Sequence, residues 1–446
     1  MDLGIFQNAP WGEMGLPSIN GSGPTCSGLP GTRACTADDI IEKINSRPPV
    51  YSPYAAGPIY SNIAFALLGM VIEAATGQPF QDVARDNIFN PAGMESTSFF
   101  GFDQDSEDSL FVPIGDPTWN ITAGVFEASG GMFSTSKDLI SFAEAIYGNR
   151  LLSPRATRQW MKPETHTSSW GYSVGAPWEI LRTDNITADG RLIDVYTKSG
   201  DLGLYHAYMA IVPDYDISIS VITAGAEVSF DPYSRSRFLS AVVRALIPAV
   251  EQAGREENTM VGTYFQESTN STLEITMDDG PGLVISSFSV RGFDVLNNIN
   301  SYSINTASAG EGAARPPAQT VQGRLYPTKH DAEGETWRAA FTTTTAQQRE
   351  ALDADLFAKD GSCEMWFGFD RSAYNFQSLA EFVVVQDGDT GYIRNAAFNV
   401  SMAKVSGTNE PSDVNGPAMD EPSGANAKGR AMGVVMGALL MCAALG

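Results

Sequence analysis

Histidine and cysteine are scarce in this chain of 446 residues, with three of the first and four of the second. No Cys-x-x-Cys pair occurs and the histidines do not cluster, so neither a zinc site nor any other metal or cofactor is expected. Positive charge is scarce too: 28 Lys and Arg stand against 52 Asp and Glu, a formal net charge of −24. That balance repels phosphate and argues against nucleic acid or an anionic membrane surface as a partner. The acidic residues are dispersed along the chain, which suits solubility. The opening "MDLGIFQNAPWGEMGLP" lacks the basic segment followed by an apolar run that marks a secretory signal.

A hydrophobic content of 43% supports a substantial core, and the length allows two or three domains. Cys26 and Cys35 bracket "CSGLPGTRAC", a short loop with two glycines and a proline that is well shaped for a local disulfide. Such a pair points to an oxidising compartment. Cys363 has no evident partner, and Cys442 lies in an apolar tail. Five Asn-x-Ser/Thr sequons, at Asn20, Asn120, Asn185, Asn270 and Asn399, add weak support for glycosylation and secretion. A chain of secreted character that begins without a signal reads as incomplete at its N-terminus.

Residues 1–57 are rich in Gly, Pro and Ser, with one helical stretch at "TADDIIEKINSR". From Ile63 to Ile72 the chain is almost wholly apolar, which predicts a buried helix stopped by Gly77, and Pro79 opens another. "STSKDLISFAEAIYG" predicts a further helix, with a cap at Ser134, Thr135 or Ser136 and one face formed by Leu139, Phe142, Ala143 and Ile146. Two strands joined near Pro213–Asp216 follow, the second alternating Ile217, Ile219 and Val221 with Ser218 and Ser220. Helix "RSRFLSAVVRALIPAV" closes this region. Residues 259–405 are instead strand-like pieces separated by Gly, Asp and Asn turns, which predicts an all-β barrel or sandwich.

Residues 406–446 read as a linker and hydrophobic tail. As a helix, Ala431 to Gly446 reaches about 24 Å, short of the roughly 30 Å hydrocarbon core. Small residues Ser423, Gly424 and Ala425, a polar spacer and this tail fit a processed lipid (GPI-type) anchor signal, with a plain hydrophobic tail as the alternative.

The stretch "GPIYSNIAFALLGM" places Tyr60 and Asn62 at the mouth of an apolar helix; much further along, "TKSG" sets Lys198, Ser199 and Gly200 in a strand, with "GGMFSTSKDL" between. Alone, Tyr-x-Asn is better explained by helix capping. In this order, the three segments make the chain resemble the serine β-lactamase and penicillin-binding-protein-like superfamily, in its class C and esterase-like branch of fungal secreted proteins. The resemblance covers residues 1 to about 245 and implies an α+β fold. An incomplete β-lactamase/transpeptidase-like domain over 1–250, an antiparallel sheet with helices, would precede the all-β domain at 259–405.

The resemblance also implies roles. Tyr60 would be the general base and then acid; Lys198 would lend positive charge. Asn62 would hydrogen-bond a substrate amide or the lysine, and Ser199 a substrate carboxylate. Gly200 would leave room at the strand edge, and the Asp201 N–H would be one of two oxyanion donors. A tyrosine has an ordinary pKa near 10, so a phenolate base at neutral pH needs an adjacent cation. The substrate would be a small molecule, a peptide or an ester, the reaction lactam, peptide or ester acyl transfer.

The attacking serine of this superfamily lies in a Ser-x-x-Lys motif ahead of the Tyr-x-Asn segment. Only two matches occur, Ser134 with Lys137 and Ser401 with Lys404, and both follow Tyr60. The expectation is therefore a hydrolase-like chain, truncated and inactive as it stands, that is secreted or held at the cell surface. A non-catalytic binding protein on the same scaffold is the alternative. The oligomeric state cannot be read from the sequence.

Overall fold

The computed structural model describes residues 10–17, 26, 33–50, 57–99, 113–116, 118–119, 122–226, 233–302, 310, 312, 314, 317–331, 334–357, 370–387 and 390–405. These fall into two compact units, one built from residues up to Ile186 together with Leu192–Val250, the other from Thr187–Arg191 and residues from Glu251 on.

The first unit opens with helix α1 (Ala37–Asn45), started by a capping box in which Thr36 accepts from the Asp39 N–H and Asp39 accepts from the Thr36 N–H. Helix α2 (Asn62–Thr76) starts at Ser61, whose hydroxyl accepts from the Ala64 N–H at 3.2 Å, and ends at Gly77, which takes the left-handed conformation at φ 69°. Gly69 lets α2 approach the short helix Glu127–Gly130: a Cβ at 69 would lie 2.5 Å from Ala128 Cβ.

The expectation that α2 is a buried helix is corrected here. Only Ala66 and Gly69 are buried, while Leu68 is 54% exposed and Val71 61%. Ala64, Leu68, Val71 and Ala75 recur at helical spacing as one exposed apolar stripe. An unbroken apolar run announces a helix suited to cover on every side; the described residues pack against one side only.

After α2, helix α3 begins at Phe80–Ala84, passes through a π-helical turn at Arg85–Phe89 and ends at Asn90–Ala92. Helix α4 (Ser136–Tyr147) is capped by Thr135, which accepts from the Asp138 N–H. Asp138 is itself buried and accepts from Ser96 N–H and the Thr97 hydroxyl, both at 2.7 Å, so the cap also anchors the preceding loop.

Six antiparallel strands follow in sequential order: β1 (Thr165–His166), β2 (Tyr172–Val174), β3 (Glu179–Thr183), β4 (Ile193–Leu202), β5 (Tyr205–Val212) and β6 (Ile217–Ala224). Their alternation divides the side chains between two faces. Ile193, Val195, Tyr208, Ala210 and Val212 pack with Leu239, Val243 and Ile247 of helix α5 (Ser234–Glu256). Ile180, Tyr196, Met209 and Ile211 pack with Ala143 and Ile146 of α4. Both faces are covered, which is why β5 reads as an almost continuous apolar run.

In the second unit the strands are β7 (Gly262–Gln266), β8 (Ser271–Thr276), β9 (Leu283–Val290), β10 (Phe293–Asp294), β11 (Gln322–Asp331), β12 (Gly334–Thr342), β13 (Ala373–Tyr374), β14 (Gln377–Ser378), β15 (Glu381–Asp387), β16 (Thr390–Asn395) and β17 (Val400–Lys404). The order β9-β11-β12-β15-β16-β17-β7-β8 returns to β9 through antiparallel pairing, so of the two all-β forms expected it is the barrel, with β10 beside β9 and β13–β14 a separate hairpin. Inward residues, including Leu273, Ile275, Ile285, Phe288, Leu325, Phe382, Ile393 and Met402, fill it, alternating along the strands except where the β8–β9 pairing shifts register and separates Ile285 from Phe288 by three positions.

Candidate active site

The outer part of β4 holds the sequence-predicted strand residues. Pairing of β3 with β4 ends at Glu179 opposite Thr197, while β4 continues with β5 through Lys198–Met209, Ser199–Tyr208, Gly200–Ala207 and Asp201–His206. The backbone of Lys198 to Leu202 therefore presents one edge that pairs with no β3 residue. The two-residue hairpin closes at Leu202 and Tyr205. Ladder alternation then turns the N–H groups of Ser199 and Asp201 away from β5, toward that edge. A Cβ at Gly200 would meet only Ala207 Cβ, at 3.9 Å, so the space beside it is open.

Tyr60 lies just before α2, 66% exposed, and the structure brings it to the same edge: Lys198 Nζ lies 5.2 Å from the centre of its ring. This is cation–π distance. Asn62, at the first position of α2, is exposed, and among the described residues no hydrogen bond joins it to Lys198.

Glu179 was missed by sequence reasoning. Lys198 Nζ donates to Glu179 Oε1 at 2.8 Å and to the Ser199 carbonyl at 2.8 Å. The Ser199 hydroxyl donates to Glu179 Oε2 at 3.1 Å. Ser199, expected to face a substrate carboxylate, thus faces a carboxylate of its own chain. Nothing in "GAPWEILRT" marks Glu179; only the end of the β3–β4 register puts it there.

The Asp201 side chain is held by His206 Nδ1 at 2.5 Å and by both terminal nitrogens of Arg235. Burial pushes its carboxyl up, but the bonds from His206 and Arg235 outweigh that and hold it below the ordinary value. Beyond it, the hairpin tip is clamped by Asp116, which is 6% exposed. One carboxylate oxygen accepts from the Thr118 N–H at 2.5 Å and the Thr118 hydroxyl at 2.6 Å, the other from the Leu204 N–H at 2.6 Å. Gly203 sits against this clamp at φ 58°, where a Cβ would fall 2.2 Å from Thr118 Oγ1. Only glycine suits that position.

The serines of the two Ser-x-x-Lys matches are each bonded within their own surroundings. The Ser134 hydroxyl shares a hydrogen bond with Thr97 at 2.8 Å, and Lys137 is exposed on α4. Ser401 is an exposed residue of β17, its N–H bonded to Gln266. Cys26 and Cys35 are joined in a disulfide beside Ile40. Asn185, Asn270 and Asn399 are exposed; Asn20, Asn120 and the tail from residue 406 lie outside the described residues.

Residues 14–242 match the family model described as "Beta-lactamase", which is more than half of the chain. The chain belongs to the β-lactamase family. In this β-lactamase-family chain, residues 251–406 also match a model described as "Beta-lactamase-like-like, C-terminal domain". Among curated proteins, it is 26% identical over 397 residues to a "Beta-lactamase-like protein" of Arthroderma benhamiae, covering 85% of this chain and 66% of the relative. It is 24% identical to "Probable hydrolase M10" of a Phoma species, over 83% of this chain and 60% of that one. To "Probable hydrolase clz13" of Cochliobolus lunatus it is 25% identical, over 91% and 64%. The chain thus spans 60% to 66% of the length of these curated relatives. A solved D-amino acid amidase from Ochrobactrum anthropi SV3 aligns at 23% identity over 52% of this chain and 69% of its own, with a TM-score of 0.40, too low to carry an argument about the site.

Proposed function

We propose that this β-lactamase-family chain carries the proton-transfer side of an acyl-transfer site for lactam, peptide or ester substrates, and is inactive by itself because no Ser-x-x-Lys serine serves it. Tyr60 is the general base and acid, Lys198 its cation, the β4 edge the surface beside which a substrate lies, and the Asp201 N–H an oxyanion donor. One observation carries this reading: the Lys198 ammonium stands over the Tyr60 ring at 5.2 Å although the two are far apart in sequence. A lysine this close to a phenol can favour its ionised form, which a proton-transferring tyrosine requires. The relatives named as probable hydrolases lend general support. A secreted or surface location fits the disulfide and the exposed sequon asparagines.

A second reading, a non-catalytic binding protein on the same scaffold, draws support from Glu179, which offsets the cation that a phenolate at Tyr60 would need. Incubation with a fluorescent penicillin and with a fluorophosphonate separates these readings from an active enzyme. The chain of 446 residues is expected to show no covalent labelling. A form extended by a Ser-x-x-Lys segment ahead of Tyr60 should acylate, and Tyr60→Phe should then slow it by about 10²- to 10⁴-fold. Labelling of the unextended chain at any serine refutes the proposal. An extended form that keeps full turnover as Tyr60→Phe removes Tyr60 from its role.

A further inference from the structure

An ammonium and a hydroxyl that converge on one point form a receptor for an anion, because both are donors and one carries charge. At the β4 edge that receptor exists and is already filled. Lys198 Nζ and Ser199 Oγ both donate to the carboxylate of Glu179, at 2.8 Å and 3.1 Å. The pair is partly shielded from water, with the Lys198 side chain 30% exposed and that of Glu179 20%. Glu179 is also fixed from behind, since its carbonyl accepts from the Thr197 hydroxyl at 2.6 Å.

Two consequences follow for anything that lies along Ser199–Asp201. Lysine and glutamate cancel, so the edge offers little net positive charge to a ligand. A second carboxylate entering there would stand beside Glu179 with one ammonium shared between two anions, which is unfavourable. The Glu179 charge reaches its surroundings: together with burial, which is the larger cause, it pushes the Tyr172 hydroxyl above its ordinary value. A neutral amide or ester meets none of this repulsion and still finds the outward N–H of Asp201.

We propose that Glu179 sets the ligand preference of this site, so that the edge accepts neutral amides and esters and rejects groups bearing a carboxylate beside the reacting carbonyl. This rests on reading the β4 edge as substrate-facing. The test uses a matched pair of probes, N-acetylalanine and N-acetylalaninamide, titrated into the full chain and followed by the amide resonances of Ser199 to Asp201. The native protein is expected to favour the amide. Glu179→Gln keeps the shape and removes the charge, and should raise the affinity for the acid relative to the amide by roughly tenfold, about 1.4 kcal/mol. Glu179→Ala should do the same if the glutamine variant folds poorly. Adding Lys198→Met to Glu179→Gln should abolish the gain. An unchanged ratio, a native preference for the acid, absence of binding of either probe to both variants, or a gain that survives Lys198→Met would each overturn the proposal. Because binding alone is read, a preference that switches while the extended form fails to acylate would sink the acyl-transfer reading and leave this one standing.

Discussion

Removing the carboxylate of Asp116 should loosen the tip of the β4–β5 hairpin, and the size of the effect follows from three short hydrogen bonds. Asp116→Ala strips the acceptor from the Thr118 N–H, the Thr118 hydroxyl and the Leu204 N–H, which lie 2.5, 2.6 and 2.6 Å away. A hydrogen bond to a charged group contributes about 1.5–3 kcal/mol net, and the three act as one unit, so their values do not add. We expect a loss of about 2–4 kcal/mol, large against a total of roughly 5–15 kcal/mol for a domain. Urea unfolding gives the global figure, and hydrogen exchange at Leu204 gives the local one. The loss should also depend on pH. Burial pushes the Asp116 carboxyl up, but the bonds from Thr118 and Leu204 prevail and hold it below the ordinary carboxylate value. A carboxylate depressed in the folded state stabilises above its unfolded pKa, near 3.9, and that contribution disappears as pH falls through the folded value. As pH falls below about 4 the stability difference between the native protein and Asp116→Ala should therefore narrow. A difference under about 0.5 kcal/mol at neutral pH, with unchanged exchange at Leu204, would refute the clamp.

Gly69→Ala should destabilise the first unit despite the better helix propensity of alanine. The added Cβ would sit 2.5 Å from Ala128 Cβ, and overpacking of about 1–3 kcal/mol exceeds the roughly 1 kcal/mol gained in propensity; a raised melting temperature would contradict this. Reduction of Cys26–Cys35, nine positions apart, should cost about 2–3 kcal/mol by chain entropy. Peptide mapping without reductant that recovered both thiols free would disprove the bond and weaken the secretory reading.

Local chemistry was well written in the sequence. Gly77 ended α2 and Thr135 began α4 where caps were expected, because capping depends on a few neighbouring residues. The alternation of Ile217, Ile219 and Val221 with Ser218 and Ser220 likewise marked β6 as a strand. Partnership over distance was not written. The apolar run of α2 carries no sign of how many sides are covered, and Leu68 and Val71 turned out exposed. Tyr60 and Lys198 could be paired in advance only through the resemblance, since no local pattern links them. Glu179 and Asp116 escaped notice because each acts through the place where a strand pairing ends or a hairpin turns, and such places are set by register.

The barrel closes by joining its first strand to its last. Ala403 and Lys404 of β17 pair with Phe265 and Tyr264 of β7, and the Val405 N–H donates to the Thr263 carbonyl at 2.8 Å. During synthesis, β7 is among the first barrel residues to leave the ribosome, and it must wait for almost the whole of the second unit to be made before its partner arrives. Until then two strand edges stand unpaired, each able to template association with another nascent chain. A chain stopped before Val400 would keep both edges open permanently. The same pairing that covers the outer edges of β7 and β17 in the finished barrel leaves β7 without its partner while the strands between them are made.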